Sequence, residues 1–228
     1  MFKNISYQLG EYQLIDLNIL VSDVILGIVV LICAARLVQL LPEHLERKHW
    51  DVFFWLLGIS AIIGGIGHAF GKYDFGHWIM VGSWALNILA IFKLERAVIE
   101  QIRTKKLRKW LIPLIFLKLV GFLVWLFIVQ DYKVAAIYSA IGTIGILLPV
   151  VVFEIRKKTE VSVRWFVIGF VLSAFAGLVF GLQWSINDWL AHQDIGHYII
   201  AISTVCFYLG VKYLHHEHKL YPAREGWW

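Results

Sequence analysis

Ala191-His192-Gln193-Asp194-Ile195-Gly196-His197 is the stretch on which the reading of this chain turns. Residues 198–212 behind it are apolar up to Lys212, so a polar collar opens a segment able to cross a bilayer. A second histidine, His68, falls in the run Gly64-Gly65-Ile66-Gly67-His68-Ala69-Phe70-Gly71, again within an apolar stretch. Whether the two places meet depends on the number and direction of the crossings between them.

The whole chain supports a membrane reading. Its 228 residues are 60% hydrophobic and 16% charged, with mean hydropathy +0.72, which excludes disorder and most soluble folds. A spanning helix needs about 20 apolar residues. Runs of that kind lie near 17–41, 51–71, 76–98, 110–130, 134–154, 165–186 and 195–214. The expected fold is an all-α membrane protein, a seven-transmembrane-helix bundle forming one domain over 1–228, without internal repeat or low-complexity segment. Cys33 and Cys206 fall inside apolar runs, so a disulfide framework is not expected. The first sixteen residues carry Lys3, Glu11 and Asp16 and show no apolar core of a cleavable signal. The net charge of +5 is confined to short loops, so it speaks for membrane lipids as partners and against nucleic acid. No phosphate-binding glycine loop or nucleophile elbow is present. Oligomeric state leaves no mark in the sequence.

Direction follows from the basic residues. Arg47, Lys48, the run Arg103 to Lys109, Arg156-Lys157-Lys158, Arg164, Lys212, Lys219 and Arg224 fall on one side, against Lys3, Lys72 and Lys133 on the other. Positive charge stays inside, so the N terminus is expected outside and the C terminus in the cytoplasm, with a bacterial inner membrane as the location. Trp50, Trp110 and Trp165 would mark inner ends, and Trp78, Trp184 and Trp189 outer ends. Helix six carries Gly169, Ser173, Gly177 and Gly181 at four-residue spacing, a stripe that admits a close neighbour. Pro149 is expected to bend helix five.

With this topology the polar residues converge. His68 ends an outward helix, His197 begins an inward one, and Asp23, beside Ser22, lies one to two turns below the outer end of helix one. His77 stands at the mouth of helix three, and Asn87 lies deeper along it. The loop before helix seven adds Asn187, Asp188, His192 and Asp194. Ionisable groups in hydrocarbon are costly and face a cavity or a partner. Asp194 and His197 share a helix face, whereas His192 joins them only if the helix begins after it and the loop folds back. His68, His197 and one of His192, Asp194 or His77 would make a zinc set with one position open for water. Lys118 in helix four reads as a snorkelling residue, and His215, His216 and His218 as a solvated tail.

The pattern resembles the superfamily of seven-helix membrane hydrolases that includes alkaline ceramidases and the progestin and adipoQ receptors. His68 takes the place of that superfamily's helix-two ligand, and Ile195-Gly196-His197 resembles the start of its helix-seven motif. Ser22-Asp23 together with both histidine runs also looks like a group of bacterial membrane proteins of unknown function. The superfamily carries a serine where this chain has Gly64, and a second helix-seven histidine where it has Gln193. The helix-three aspartate has no counterpart unless Asn87 or Asp74 stands in. The resemblance implies zinc on His68, His197 and His192 or Asp194, with Asp23, Asp194 and Ser22 as catalytic groups and His77 and Asn87 behind them.

Three functions compete. One is a zinc-dependent intramembrane hydrolase of a lipid amide or ester near the outer face, in which metal-bound water attacks the carbonyl. Another is a lipid or small-molecule receptor, or a proton-coupled transporter, using Asp23, Asn87 and Gln183. The third is haem held between His68 and His197. A retinal protein would need a lysine within helix seven, and Lys212 lies at its inner end.

Overall fold

The computed structural model describes residues 5–40, 47–102, 104–149 and 160–220. A short hairpin, β1 (Tyr7–Leu9) and β2 (Tyr12–Leu14), precedes α1 (Leu17–Leu40), α2 (Arg47–Ala69), α3 (Asp74–Ile99), α4 (Lys105–Val129) and α5 (Tyr132–Ala140). A π-helical stretch, Ile141–Leu147, continues α5, and α6 (Glu160–Gly181) and α7 (His192–Leu220) complete the order. Six of the described helices are long and apolar enough to cross a membrane; the seventh apolar helix, Tyr132–Leu147, is shorter. The all-α expectation holds. The part of helix five expected beyond residue 149 lies outside the described residues, as do Arg103, Arg156, Lys157, Lys158 and Arg224.

The apolar runs become helices because a chain in hydrocarbon must satisfy its backbone internally. On α1 the buried side chains Ile19, Leu26, Val30 and Leu37 alternate with exposed Val21, Ile25, Ile28 and Ile32. A helix apolar on both faces has protein on one side and an apolar medium on the other. α7 packs against α6 and α1, α1 against α2, α2 against α3, and α3 against α4 and α5. Aromatic rings fill the middle: Trp50 stacks on Phe166 at 5.4 Å, and Phe170 meets Phe207 at 4.9 Å. Trp50 is therefore a core residue and not an interfacial marker, whereas Trp78, Trp110, Trp184 and Trp189 are exposed as expected.

The stripe on α6 is used in part. The position of a Cβ on Gly169 lies 2.6 Å from the Phe207 ring, and Ser173 meets Ser203 at 2.8 Å, so this half seats α7. Gly177 and Gly181 face open space. Pro149 follows the π-helical stretch, in which Leu148 donates its N–H to the Thr143 carbonyl instead of to that of Ile144. A proline cannot donate to the carbonyl four residues earlier and its ring crowds it, and a wider turn just before it relieves both. α7 runs on through His215, His216 and His218, so these histidines continue a helix.

The hairpin lies at the end where α2, α4 and α6 finish and α1, α3, α5 and α7 begin. Tyr12 packs on Phe70, Tyr73 and Phe75, and Ile15 donates its N–H to the Ala69 carbonyl. At this hairpin end α1, α2 and α7 meet.

One buried charge pair stands away from that end. Lys118 on α4 donates to Glu95 on α3, sits 3.8 Å above the Tyr138 ring, and does not snorkel. The expectation that Lys118 snorkels is corrected here. An ammonium buried between apolar helices costs less beside a carboxylate than beside apolar groups alone.

Candidate functional site

The site is built on the first turns of α1 and α7. Asp194 is completely buried. Its Oδ2 accepts from the Asn18 amide at 2.7 Å and from the Ala191 N–H at 2.9 Å, and its Oδ1 accepts from Ser22 at 2.8 Å. Ala191 precedes the first helical residue and Asp194 is the third, so the carboxylate reaches back to cap α7 and also ties it to α1. Sequence reasoning missed both Asn18 and the capping role. An asparagine in the first turn of an apolar helix is ordinary by itself, and only its partner on α7 singles it out.

His197 is held through one ring nitrogen. Its Nδ1 lies 3.0 Å from Ser22 Oγ and 3.3 Å from Asp23 Oδ1. Ser22 Oγ has one proton and three acceptors in reach, the Ile19 carbonyl, Asp194 and Nδ1; when the proton goes to Asp194, Nδ1 carries the ring proton and Nε2 keeps its lone pair. A hydroxyl and a carboxylate on the same nitrogen do not form a serine–histidine–aspartate relay, which needs them on opposite nitrogens. They fix the orientation of the imidazole through Nδ1.

The glycine run of α2 admits this cluster. A Cβ on Gly65 would stand 2.9 Å from Asp23 Cβ, and one on Gly67 would stand 2.6 Å from Met80. α1 and α3 therefore approach α2 closely on either side of His68. A Cβ on Gly64 would meet Ser83 Oγ at 2.8 Å, with Asp23 Oδ2 at 3.7 Å, and Ser83 donates to the Ser60 carbonyl at 2.9 Å. His68 lies in the last turn of α2, at the end of the bundle where α1 and α7 begin. Asp16, just before α1 with φ of 51°, adds a third acid; burial and then the nearby Asp194 raise its pKa above the ordinary carboxylate range.

The remaining expected residues lie elsewhere. α7 begins at His192 itself, so no loop folds back; His192 bonds Ser185 through its N–H at 2.9 Å and ring Nδ1 at 3.3 Å, and packs on Phe180. His77 bonds Gln130 at 3.1 Å, and Ser139 donates to Asn87 at 3.4 Å, so both brace α3 against its neighbours. Asn187 accepts from the N–H groups of Trp189 and Leu190 in the turn before α7, and Gln183 stands exposed with φ of 52° beyond α6.

For zinc the fit is partial. His197 offers a correctly presented Nε2, and His68 a second imidazole. Asp194 already accepts three hydrogen bonds and His192 Nδ1 lies 3.3 Å from Ser185, and among the described residues no group of three His, Cys, Asp or Glu side chains is placed to hold a metal ion.

An all-α bundle with several helices long and apolar enough to cross a membrane, and a buried, hydrogen-bonded polar cluster at the hairpin end, is the class that fold and site define. Residues 19–216 match the profile of a family of unknown function, DUF6962, and the chain belongs to that family. No curated protein and no solved structure matches it.

Proposed function

We propose that the chain is an intramembrane hydrolase of a lipid amide or ester, with the hairpin end at the outer face of a bacterial inner membrane and seven crossings in all. The orientation of His197 carries this reading: Nδ1 faces Ser22 and Asp23, which leaves Nε2 as the nitrogen to take a proton in this reading. Lys105, Lys106, Arg108 and Lys109 start α4 at the opposite end, which supports the orientation.

In this reading Nε2 removes a proton from water as the water oxygen attacks the lipid carbonyl. Asp23 and Ser22 stabilise the imidazolium that results. His68 donates a hydrogen bond to the carbonyl oxygen as it gains charge. Nε2–H then returns its proton to the departing amine or alkoxide, the carbon–nitrogen or carbon–oxygen bond breaks, and a fatty acid leaves. Zinc held by His68 and His197 would place an activated water in the same position.

The test is fatty-acid release from amide- and ester-linked lipids by detergent-purified protein, with metal content measured on the same samples. General-base catalysis contributes about 10²–10⁴ in rate. Loss on that scale in His197→Ala and in His68→Ala is the expected result. Unchanged release in the double variant would remove the hydrolase reading. About one zinc per chain, absent from the double variant, would select the metal form, and colour at haem wavelengths would replace both.

A further inference from the structure

The end opposite the hairpin carries a cleft of about 410 Å³ between α2, α3 and α4. Its walls are apolar, formed by Phe92, Ile112, Pro113 and Phe116, and its polar groups are basic: His49, Lys93 and Arg96. An apolar cleft edged by cations is the outline of an amphiphile with an anionic head.

The polar groups carry the argument further. Lys93 has no carboxylate partner among the described residues; its ammonium stands 5.8 Å from the centre of the Phe92 ring. Arg96 gives Nη2 to Glu100 at 2.7 Å, and a guanidinium has five N–H donors, so donors remain for a second anion. His49 is the informative residue. Its Nε2 lies 3.1 Å from Glu100, while its Nδ1 is buried and has no hydrogen-bond partner. Buried polar atoms without partners are rare. With Nε2–H given to Glu100, Nδ1 is an acceptor awaiting a donor, and a hydroxyl supplies one.

We propose that this cleft binds one anionic glycerophospholipid with a hydroxyl-bearing headgroup. Lys93 and Arg96 take the phosphate, Nδ1 of His49 accepts from the headgroup hydroxyl, and an acyl chain lies along Phe92, Ile112 and Phe116. The inference rests on the membrane reading alone and is independent of hydrolysis at the hairpin end.

The experiment is native mass spectrometry of the full chain, extracted from membranes in detergent and titrated with defined lipids. Phosphatidylglycerol should be retained over phosphatidylcholine, and over phosphatidic acid, which has the phosphate and no headgroup hydroxyl. Lys93→Gln and Arg96→Gln should each weaken retention about fivefold. His49→Phe should bring phosphatidylglycerol down to phosphatidic acid. Lys105→Gln/Lys106→Gln, which removes two charges from the nearby start of α4, should leave retention unchanged, and each variant is compared only at an unaltered Tm. Absence of preference in the wild type, or equal loss in the control variant, overturns the proposal. Displacement of the lipid by millimolar inorganic phosphate overturns it in favour of a free-phosphate site. The membrane reading fails separately, if the chain is recovered without detergent.

Discussion

Asp194 is the residue on which the candidate site hangs. It closes the α7 cap and receives Asn18 and Ser22 from α1, so its loss strands the Asn18 amide and the Ala191 N–H and leaves Ser22 the Ile19 carbonyl. Leaving buried donors unsatisfied costs about 1–3 kcal/mol each. Asp194→Ala should therefore lower the Tm of the purified protein strongly, and Asp194→Asn much less, since the amide oxygen still accepts. Equal Tm for wild type and Asp194→Ala would contradict the hydrogen-bond network. Asp16 should act in the opposite direction. Burial and Asp194 raise its pKa in the folded chain, so its charge opposes folding above the unfolded carboxylate range, and that penalty fades as pH falls through the raised value. Asp16→Asn keeps a side chain that tolerates φ of 51° and removes the charge. It should raise Tm at neutral pH and lose this advantage in acid; a pH-independent difference would count against the linkage.

At the scale of elements, two packing arrangements are exposed to test. Gly65→Ala puts a methyl 2.9 Å from Asp23 Cβ and 3.2 Å from the Leu20 carbonyl, so α1 and α2 must separate, at about 1–3 kcal/mol. The same change at Gly82, which faces open space, should be neutral, and a thermal-shift comparison reads the difference. Removing one partner of the buried pair on α3 and α4 should cost about 3–5 kcal/mol, because it leaves an uncompensated charge. Glu95→Gln/Lys118→Met should recover most of the Tm lost in Glu95→Gln. A double variant as unstable as the single one would show that the pair is not what holds the two helices together.

These same elements show what the sequence could reveal. Ser22, Asp23 and His197 were legible because an ionisable group in a hydrophobic run needs a partner, and helix direction places all three at one end. His68 was legible from its place late in α2. Asn18 was not, because a single amide carries no signal until the helix facing it is known. Glu95 and Lys118 sit on different helices, and nothing in their spacing shows that they meet. The capping role of Asp194 was not legible, because composition does not show where a helix begins. Only the start of α7 at His192 shows it.

At the scale of the molecule, the bundle separates two kinds of polar chemistry. The hairpin end gathers acids and imidazoles under a short aromatic hairpin, and the opposite end gathers cations around an apolar cleft. A substrate drawn from lipid would meet the first, and a resident anionic lipid the second. The measurement that bears most directly on this account is fatty-acid release in sealed vesicles of known protein orientation, with an amide- or ester-linked lipid confined to one leaflet. Release from the leaflet at the hairpin end, falling about 10²-fold or more in His197→Ala, is the predicted result. Release at the same rate in wild type and variant, or only from the opposite leaflet, would contradict it.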